Sequence, residues 1–173
     1  MKSSKVILVA ILLVSGQLVF GQQASKQWEK WNHLIGEWVG EGNGQPGQGE
    51  GKFSFQTDLD GKILVRKNHT VFPATATSKS TIHDDLLIVY PGSSDSQQEA
   101  IYFDNEGHTI KYKVTFSDKS VVLTSDASEP GPRFRLSYVA IDPKTVNITF
   151  EMASPQAPEV FKMYLAGKAF KTK

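Results

Sequence analysis

The sequence predicts an all-β protein: one antiparallel up-and-down β-barrel of about ten strands with a short N-terminal helix. Apolar and polar residues alternate with a period of two through most of the chain, and short turn motifs separate the alternating segments. No helical segment is long enough to connect parallel strands. A closed barrel is favoured over the alternative, a two-sheet sandwich, because closure leaves no exposed strand edge.

The first predicted elements are a short helix and a glycine-rich strand. One apolar stripe with three- and four-residue spacing is formed by Trp28, Trp31, Leu34 and Ile35. This spacing predicts a helix or turn over residues 25–35. The period then changes to two, which predicts the first strand over residues 37–42.

Nine further strands follow from the alternation and from the turn signals between the segments. Asp60-Gly61 and Pro91-Gly92 are two such signals. The predicted strands cover residues 51–59, 62–72, 83–90, 99–103, 108–116, 121–124, 132–141, 145–152 and 160–170. We see no internal repeat and no second domain.

The N-terminus is predicted to be a signal peptide, residues 1–21. Lys2 and Lys5 precede an apolar stretch, and Val19 and Gly21 occupy the small-residue positions before the cleavage site. The stretch is shorter than the roughly 20 apolar residues that span a bilayer, although an uncleaved anchor is the alternative. The mature chain, residues 22–173, is therefore expected to be a secreted or periplasmic single domain without a membrane span.

Composition excludes several classes of function. The chain has no cysteine, so disulfides, thiolate metal sites and cysteine nucleophiles are excluded. Removing Lys2 and Lys5 from 19 basic side chains leaves 17 against 18 acidic ones, a net charge of −1. This balance argues against a nucleic-acid partner. The sequence also contains no Gly-x-Ser-x-Gly elbow and no glycine loop that leads into a phosphate-binding helix.

The run Gly36-x-Trp38-x-Gly40-x-Gly42 after a short apolar segment resembles the start of the calycin group, which includes lipocalins, fatty-acid-binding proteins and heme-binding nitrobindins. Four longer stretches are similar to a family of exported bacterial proteins with a lipocalin-like barrel and no established activity. These stretches are residues 83–90, 100–108, 132–138 and 148–153. The resemblance implies the fold and no particular activity.

The resemblance does not extend to a heme site. Nitrobindins bind heme through a histidine on a late strand, whereas the last histidine of this chain is His108. We therefore expect no heme and no other cofactor.

Function is expected to depend on the side chains that point into the barrel. The predicted ligand is a small apolar or amphiphilic molecule. The candidates for contact with it are Trp38, His69, Tyr102, Tyr112, Arg133, Arg135, Tyr138 and Glu151. A register slip of one residue would turn each of them to the opposite face of its strand.

Three of these candidates have a competing interpretation as residues outside the ligand site. The Trp38 indole can close the floor of the barrel or stack on a ligand, and the first role is favoured. Arg133 and Arg135 lie two residues apart and share one face. If that face is inside, the pair forms a carboxylate or phosphate site. If it is outside, the arginines face water, and the alternation favours this second reading.

Glu151 is expected to pair with Arg135 across neighbouring strands, as an outer ion pair by default. An inward pair would indicate a site. His83 and Asp85 share a face but would need ligands from elsewhere, such as His69 or His108, to bind a metal, and we predict none.

Two alternatives to a binding protein follow from the same barrel. An isomerase or cyclase acting on a lipophilic substrate would be supported by an inward, desolvated pair among His69, Arg135 and Glu151. A barrel filled by its own side chains would instead be an interaction module of the cell envelope.

Overall fold

A computed structural model describes residues 26–42, 49–94, 97–126 and 131–173. The predicted signal peptide and most of the predicted loop after the first strand lie outside these ranges. Within them the chain forms a closed barrel of ten antiparallel strands and one short 3-10 helix. None of the helical residues in the described ranges builds a helix long and apolar enough to cross a membrane.

The 3-10 helix spans Lys26–Trp31 and precedes the strands. The strands are β1 (Gly36–Gly40), β2 (Glu50–Asp58), β3 (Ile63–Phe72), β4 (Thr81–Pro91), β5 (Gln98–Asp104), β6 (Thr109–Phe116), β7 (Ser120–Ser125), β8 (Arg133–Asp142), β9 (Thr145–Ala153) and β10 (Lys162–Lys171). Each strand pairs with its neighbours in sequence, and β1 pairs with β10 to close the barrel. The predicted up-and-down barrel is confirmed, and the sandwich alternative is excluded.

The ten observed strands begin and end within two residues of the predicted bounds. The connection between β2 and β3 is wider than the tight turn expected from Asp60-Gly61. Leu59, Asp60 and Gly61 are consecutive in the left-handed region, with φ of 49°, 54° and 78°. Only Gly61 adopts this conformation without a steric cost, so the two residues before it carry local strain.

The core lies inside the barrel and is rich in aromatic rings. Trp38 stacks on Phe53 at 6.0 Å, and Phe55 meets the ring of Tyr138 edge-on at 5.4 Å. Successive residues of a strand point to opposite faces, so these inward side chains alternate with outward ones. Phe53 and Phe55 on β2 and Tyr138 on β8 are buried on this inner face, in agreement with the period-two alternation of the sequence.

The two ends of the barrel differ. At one end, which we call the helix-covered end, the 3-10 helix lies across the opening. Trp28 donates its indole N–H to the carbonyl of Gly61 at 2.8 Å, and Trp31 donates its own to Gln98 Oε1 at 2.7 Å. The opposite end, which we call the loop end, carries the connections that follow β1, β3, β5, β7 and β9.

Candidate functional site

An ion pair between Arg66 and Asp85 lies inside the barrel. Arg66 follows the buried Leu64 on the inner face of β3, and Asp85 precedes the buried Leu87 on the inner face of β4. Arg66 Nη1 donates to Asp85 Oδ1, and the two side chains are only 9% and 4% exposed. Desolvating two charges costs several kcal/mol, so such a pair is weak evidence for stability and marks the region for function.

Aromatic side chains surround the Arg66 guanidinium. Its central carbon lies 5.3 Å from the ring centre of Phe53, which is a cation–π contact. Tyr112 and Tyr138 are buried close enough to interact electrostatically with Arg66. Burial raises the pKa of Tyr138 to about 12, despite the opposing effect of Arg66, so this phenol is neutral at physiological pH.

Two polar atoms in this group have no hydrogen-bond partner among the described residues: Arg66 Nε and the hydroxyl of Tyr138. Tyr138 is fully buried, and Arg66 is 7% exposed. Most buried polar atoms in folded proteins are paired, and leaving one unpaired costs about 1–3 kcal/mol. Both atoms carry a hydrogen, so a ligand oxygen that accepts hydrogen bonds would satisfy them.

A hydrogen-bonded network leads from this pair toward the loop end. His83 Nε2 lies 3.4 Å from Asp85 Oδ2, and His83 Nδ1 lies 3.1 Å from Glu106 Oε1. The carboxylate of Asp85 is 4% exposed, the ring of His83 27% and the carboxylate of Glu106 58%. The network therefore connects the buried pair to solvent through one imidazole.

Tyr102 connects His83 to a second carboxylate. Its hydroxyl lies 3.1 Å from His83 Nε2 and donates to Asp104 Oδ2 at 3.2 Å. Asp104 Oδ2 also accepts from His108 Nδ1 at 2.8 Å. Burial, with the nearby Asp85, raises the pKa of Tyr102, so this hydroxyl is a permanent donor.

One group of side chains offers metal-ligand atoms. His83, Asp104 and Glu106 place one such atom each within 4.8 Å of one another. The hydrogen bond from His83 to Asp85 is the largest effect raising the pKa of His83 to about 9, and Glu106 adds to it. A metal ion would have to displace this proton, so at neutral pH the geometry favours an imidazolium held between carboxylates.

Four of the eight predicted contact residues lie in the interior. Tyr102, Tyr112 and Tyr138 surround the Arg66–Asp85 pair. Trp38 is 2% exposed, and its indole N–H donates to the carbonyl of Leu34 at 2.8 Å. This contact fits the favoured structural role of Trp38, because it ties the segment after the helix to the first strand.

The other four predicted residues lie on the outer face of the barrel and line none of its interior. His69 lies three residues after the inward Arg66 on β3, so its side chain points outward. His69 Nδ1 lies 2.6 Å from Asp84 Oδ1, and both side chains are largely exposed. The remaining three are Arg133, Arg135 and Glu151. The inward pair that would have supported an enzyme therefore does not form among His69, Arg135 and Glu151.

The predicted cross-strand pair of Arg135 and Glu151 is confirmed as an outer ion pair. The two residues are register partners on β8 and β9, and the guanidinium donates to both carboxylate oxygens at 2.7 and 2.8 Å. These hydrogen bonds lower the pKa of Glu151. Two residues of the connection between β9 and β10 contact the arginines of β8. The ring centre of Phe161 lies 4.3 Å from the Arg135 guanidinium, and Arg133 binds the carboxylate of Glu159. These contacts fasten the segment after β9 to the outside of the barrel.

The sequence does not predict an inward role for Arg66, unlike Arg133 and Arg135. The residues before Arg66, which are Ile63, Leu64 and Val65, are apolar on both faces, so they do not show which face of β3 points inward. The alternation of Leu64, Arg66 and Asn68 with their neighbours is the signal in the sequence that indicates this face. For Asp85 the sequence predicts no role beyond that of a possible metal ligand.

Neither a protein-family model nor any curated protein matches this sequence. The fold and the chemistry of the interior therefore carry the functional argument.

Proposed function

We propose that this protein is an exported small-molecule-binding protein that holds an amphiphilic ligand inside its barrel. The observation that carries the proposal is the pair of buried, unpartnered polar atoms, Arg66 Nε and the Tyr138 hydroxyl. In a barrel whose interior only needs to be filled, apolar side chains of similar volume would avoid both the ion pair and the unpaired atoms.

The interior offers a polar end and an apolar wall. Arg66 and Tyr138 present hydrogen-bond donors, so the ligand's polar end should carry an acceptor oxygen, such as a carbonyl or a carboxylate. Trp38, Phe53 and Phe55 form an adjoining aromatic surface. A few placed polar groups in an otherwise apolar interior are typical of small-molecule sites.

Access to this interior is proposed from the loop end. There the inward side chains of His83, Tyr102, Phe134 and Phe150 are only partly buried, whereas Phe55, Leu64 and Val89, nearer the helix-covered end, are fully buried. Export is proposed from the basic and apolar N-terminal segment.

Native mass spectrometry of the protein purified without detergent from its own host is the first test. A co-purifying molecule of small mass that is lost on denaturation would support the proposal and identify the ligand class. A clean apoprotein mass, together with no uptake of alkanoates or hydrophobic dyes, would contradict it and favour the filled-barrel alternative.

Tyr138→Phe is the variant that tests the polar end. It removes a hydroxyl that has no hydrogen-bond partner among the described residues, so the fold should be kept. Affinity for the co-purified ligand should fall about two- to tenfold, the equivalent of one hydrogen bond. Tyr90→Phe on the outer face of β4 is the matched control and should bind like the wild type. Equal affinities for all three proteins would contradict the assignment of Tyr138.

A further inference from the structure

A β-bulge interrupts the start of β10 at the loop end. The register between β9 and β10 shifts between Met163 and Leu165, so Tyr164 has no partner on β9. Met163, Tyr164 and Leu165 are 67%, 73% and 50% exposed. Bulges at barrel rims redirect side chains, and this one presents three large side chains in succession.

A pocket of about 260 Å³ lies between this bulge and the connection that follows β9. Its lining includes Met152, Ala157, Val160, Lys162, Met163 and Tyr164. Lys162 is the one side chain among these that carries a charge. Two methionines give the pocket an adaptable apolar surface, because the thioether side chain is unbranched and flexible. The exposed bulge and this pocket together form one mainly apolar surface at the rim.

A row of aromatic rings joins this pocket to the barrel interior. Phe134 stacks on Phe150 at 5.7 Å with an interplanar angle of 7°, and Phe150 meets Tyr164 edge-on at 6.1 Å. Both phenylalanines pack against the buried core. Met152 is the register partner of Phe134, so the pocket shares a wall with the barrel interior.

The distance from the polar group to this rim limits which ligands can reach it. Tyr138 and Phe134 lie four residues apart on β8, which is about 13 Å along a strand. A short ligand with its polar end at Tyr138 would end inside the barrel. A ligand with an extended apolar chain would continue past Phe134 and Phe150 to the rim.

From this continuity we infer that the pocket beside Tyr164 is a subsite for the apolar tail of the ligand whose polar end lies at Arg66 and Tyr138. The ligand class is then a long-chain amphiphile with an oxygen acceptor at its head. This inference rests on the proposed function and adds to it a length requirement. The pocket is filled by the same molecule that fills the interior, and no separate partner is needed.

Calorimetric titration with octanoate and hexadecanoate, below their micellar concentrations, tests the subsite. The wild type should bind hexadecanoate at least about tenfold more tightly than octanoate. Met163→Ser with Tyr164→Ser should weaken hexadecanoate binding about tenfold and leave octanoate binding unchanged. Both side chains are largely exposed, so the variant should fold. The matched control is Phe170→Ser, which removes another exposed apolar side chain from the opposite end of β10.

The outcomes separate this inference from the proposed function. Equal binding of the two alkanoates, or unchanged hexadecanoate affinity in the double variant, would overturn the tail subsite and leave the binding function standing. If neither alkanoate bound the wild type, the tail subsite would be overturned, and the binding function would be decided separately by the native mass spectrum. An equal loss in Phe170→Ser would indicate nonspecific adsorption and overturn the subsite. The tail subsite would also be overturned if the wild type formed a dimer and the double variant did not, because the pocket beside Tyr164 would then be an interface with a second copy of this chain.

Discussion

Two regions of the molecule pair their buried polar groups differently. At the helix-covered end every buried indole N–H has an acceptor: Trp28 binds Gly61, Trp31 binds Gln98, and Trp38 binds Leu34. Farther into the barrel lies the Arg66–Asp85 ion pair, and two buried polar atoms near it have no hydrogen-bond partner among the described residues. The contrast is limited to the indoles, because His33 Nε2 beside the helix is also buried without a hydrogen-bond partner among the described residues. The indole hydrogen bonds hold the helix on the barrel, whereas the interior keeps unused hydrogen-bonding capacity.

The largest expected effect concerns the helix-covered end. Trp31 is fully buried and contacts the rings of Phe55 and Phe116 at 5.6 and 5.8 Å. Trp31→Ala should lower the free energy of unfolding by about 3–5 kcal/mol, through lost burial and the cavity left behind. The measurement is a urea titration followed by circular dichroism. Tyr164→Ala at the loop end is the control and should change stability by less than about 0.5 kcal/mol. Similar losses in the two variants would contradict the contrast between the ends.

A smaller loss is expected from breaking the inner ion pair. Asp85→Ala leaves the guanidinium of Arg66 buried without its anion and should cost about 3 kcal/mol. Replacing both residues together, Arg66→Met with Asp85→Leu, should recover most of this loss because no charge is then buried. The outer pair gives the comparison: Glu151→Ala should cost about 1 kcal/mol or less, since Arg135 stays partly solvated. A double variant no more stable than Asp85→Ala would show that the ion pair itself stabilises the fold.

The helix-covered end and the polar interior also differ in how far the sequence predicts them. The strands of the barrel follow from local alternation, as in Phe53 and Phe55 against Ser54 and Gln56. The helix-covered end follows from the spacing of Trp28 and Trp31. These features depend on residues close together in the chain.

The polar interior could not be predicted in the same way. The pair of Arg66 and Asp85 requires the register between β3 and β4 and the inward phase of both strands. Both strands contain consecutive apolar residues, such as Leu86 to Val89, which hide that phase. The outer pair of Arg135 and Glu151 was predictable because the two strands form a hairpin whose alternation is regular.

The pH dependence of stability should reveal the contacts of His83 with Asp85 and Glu106, which connect the buried ion pair to the loop end. The pKa of His83 is raised from 6.5 to about 9, first by its hydrogen bond to Asp85 and then by Glu106. A raised pKa means that the folded state holds a proton that the unfolded state releases. The stabilisation from His83 is therefore complete below pH 6.5 and is lost as the pH rises toward 9.

His83→Gln isolates this contribution, because glutamine keeps a polar side chain and does not titrate. The difference in urea midpoint between wild type and variant should shrink between pH 6.5 and pH 9. We expect this change to be smaller than the loss in Asp85→Ala, since His83 is partly exposed to solvent. A difference that is constant over this range would show that the imidazole is not held protonated by Asp85 and Glu106.

The smallest loss of stability is expected from Tyr138, and it bears most directly on what the barrel interior is for. Tyr138→Phe removes a buried hydroxyl that has no described hydrogen-bond partner, so the free energy of unfolding should stay the same or rise by about 1–3 kcal/mol. Ser125→Ala removes a largely buried oxygen that accepts from the Phe134 N–H at 2.8 Å, and should cost about 1–3 kcal/mol. If both substitutions cost the same in urea titrations, the Tyr138 hydroxyl must be satisfied within the apoprotein and its place in the ligand site fails. If only Ser125→Ala is costly, the Tyr138 hydroxyl has no hydrogen-bond partner in the apoprotein and is available to a ligand, as the proposed function requires.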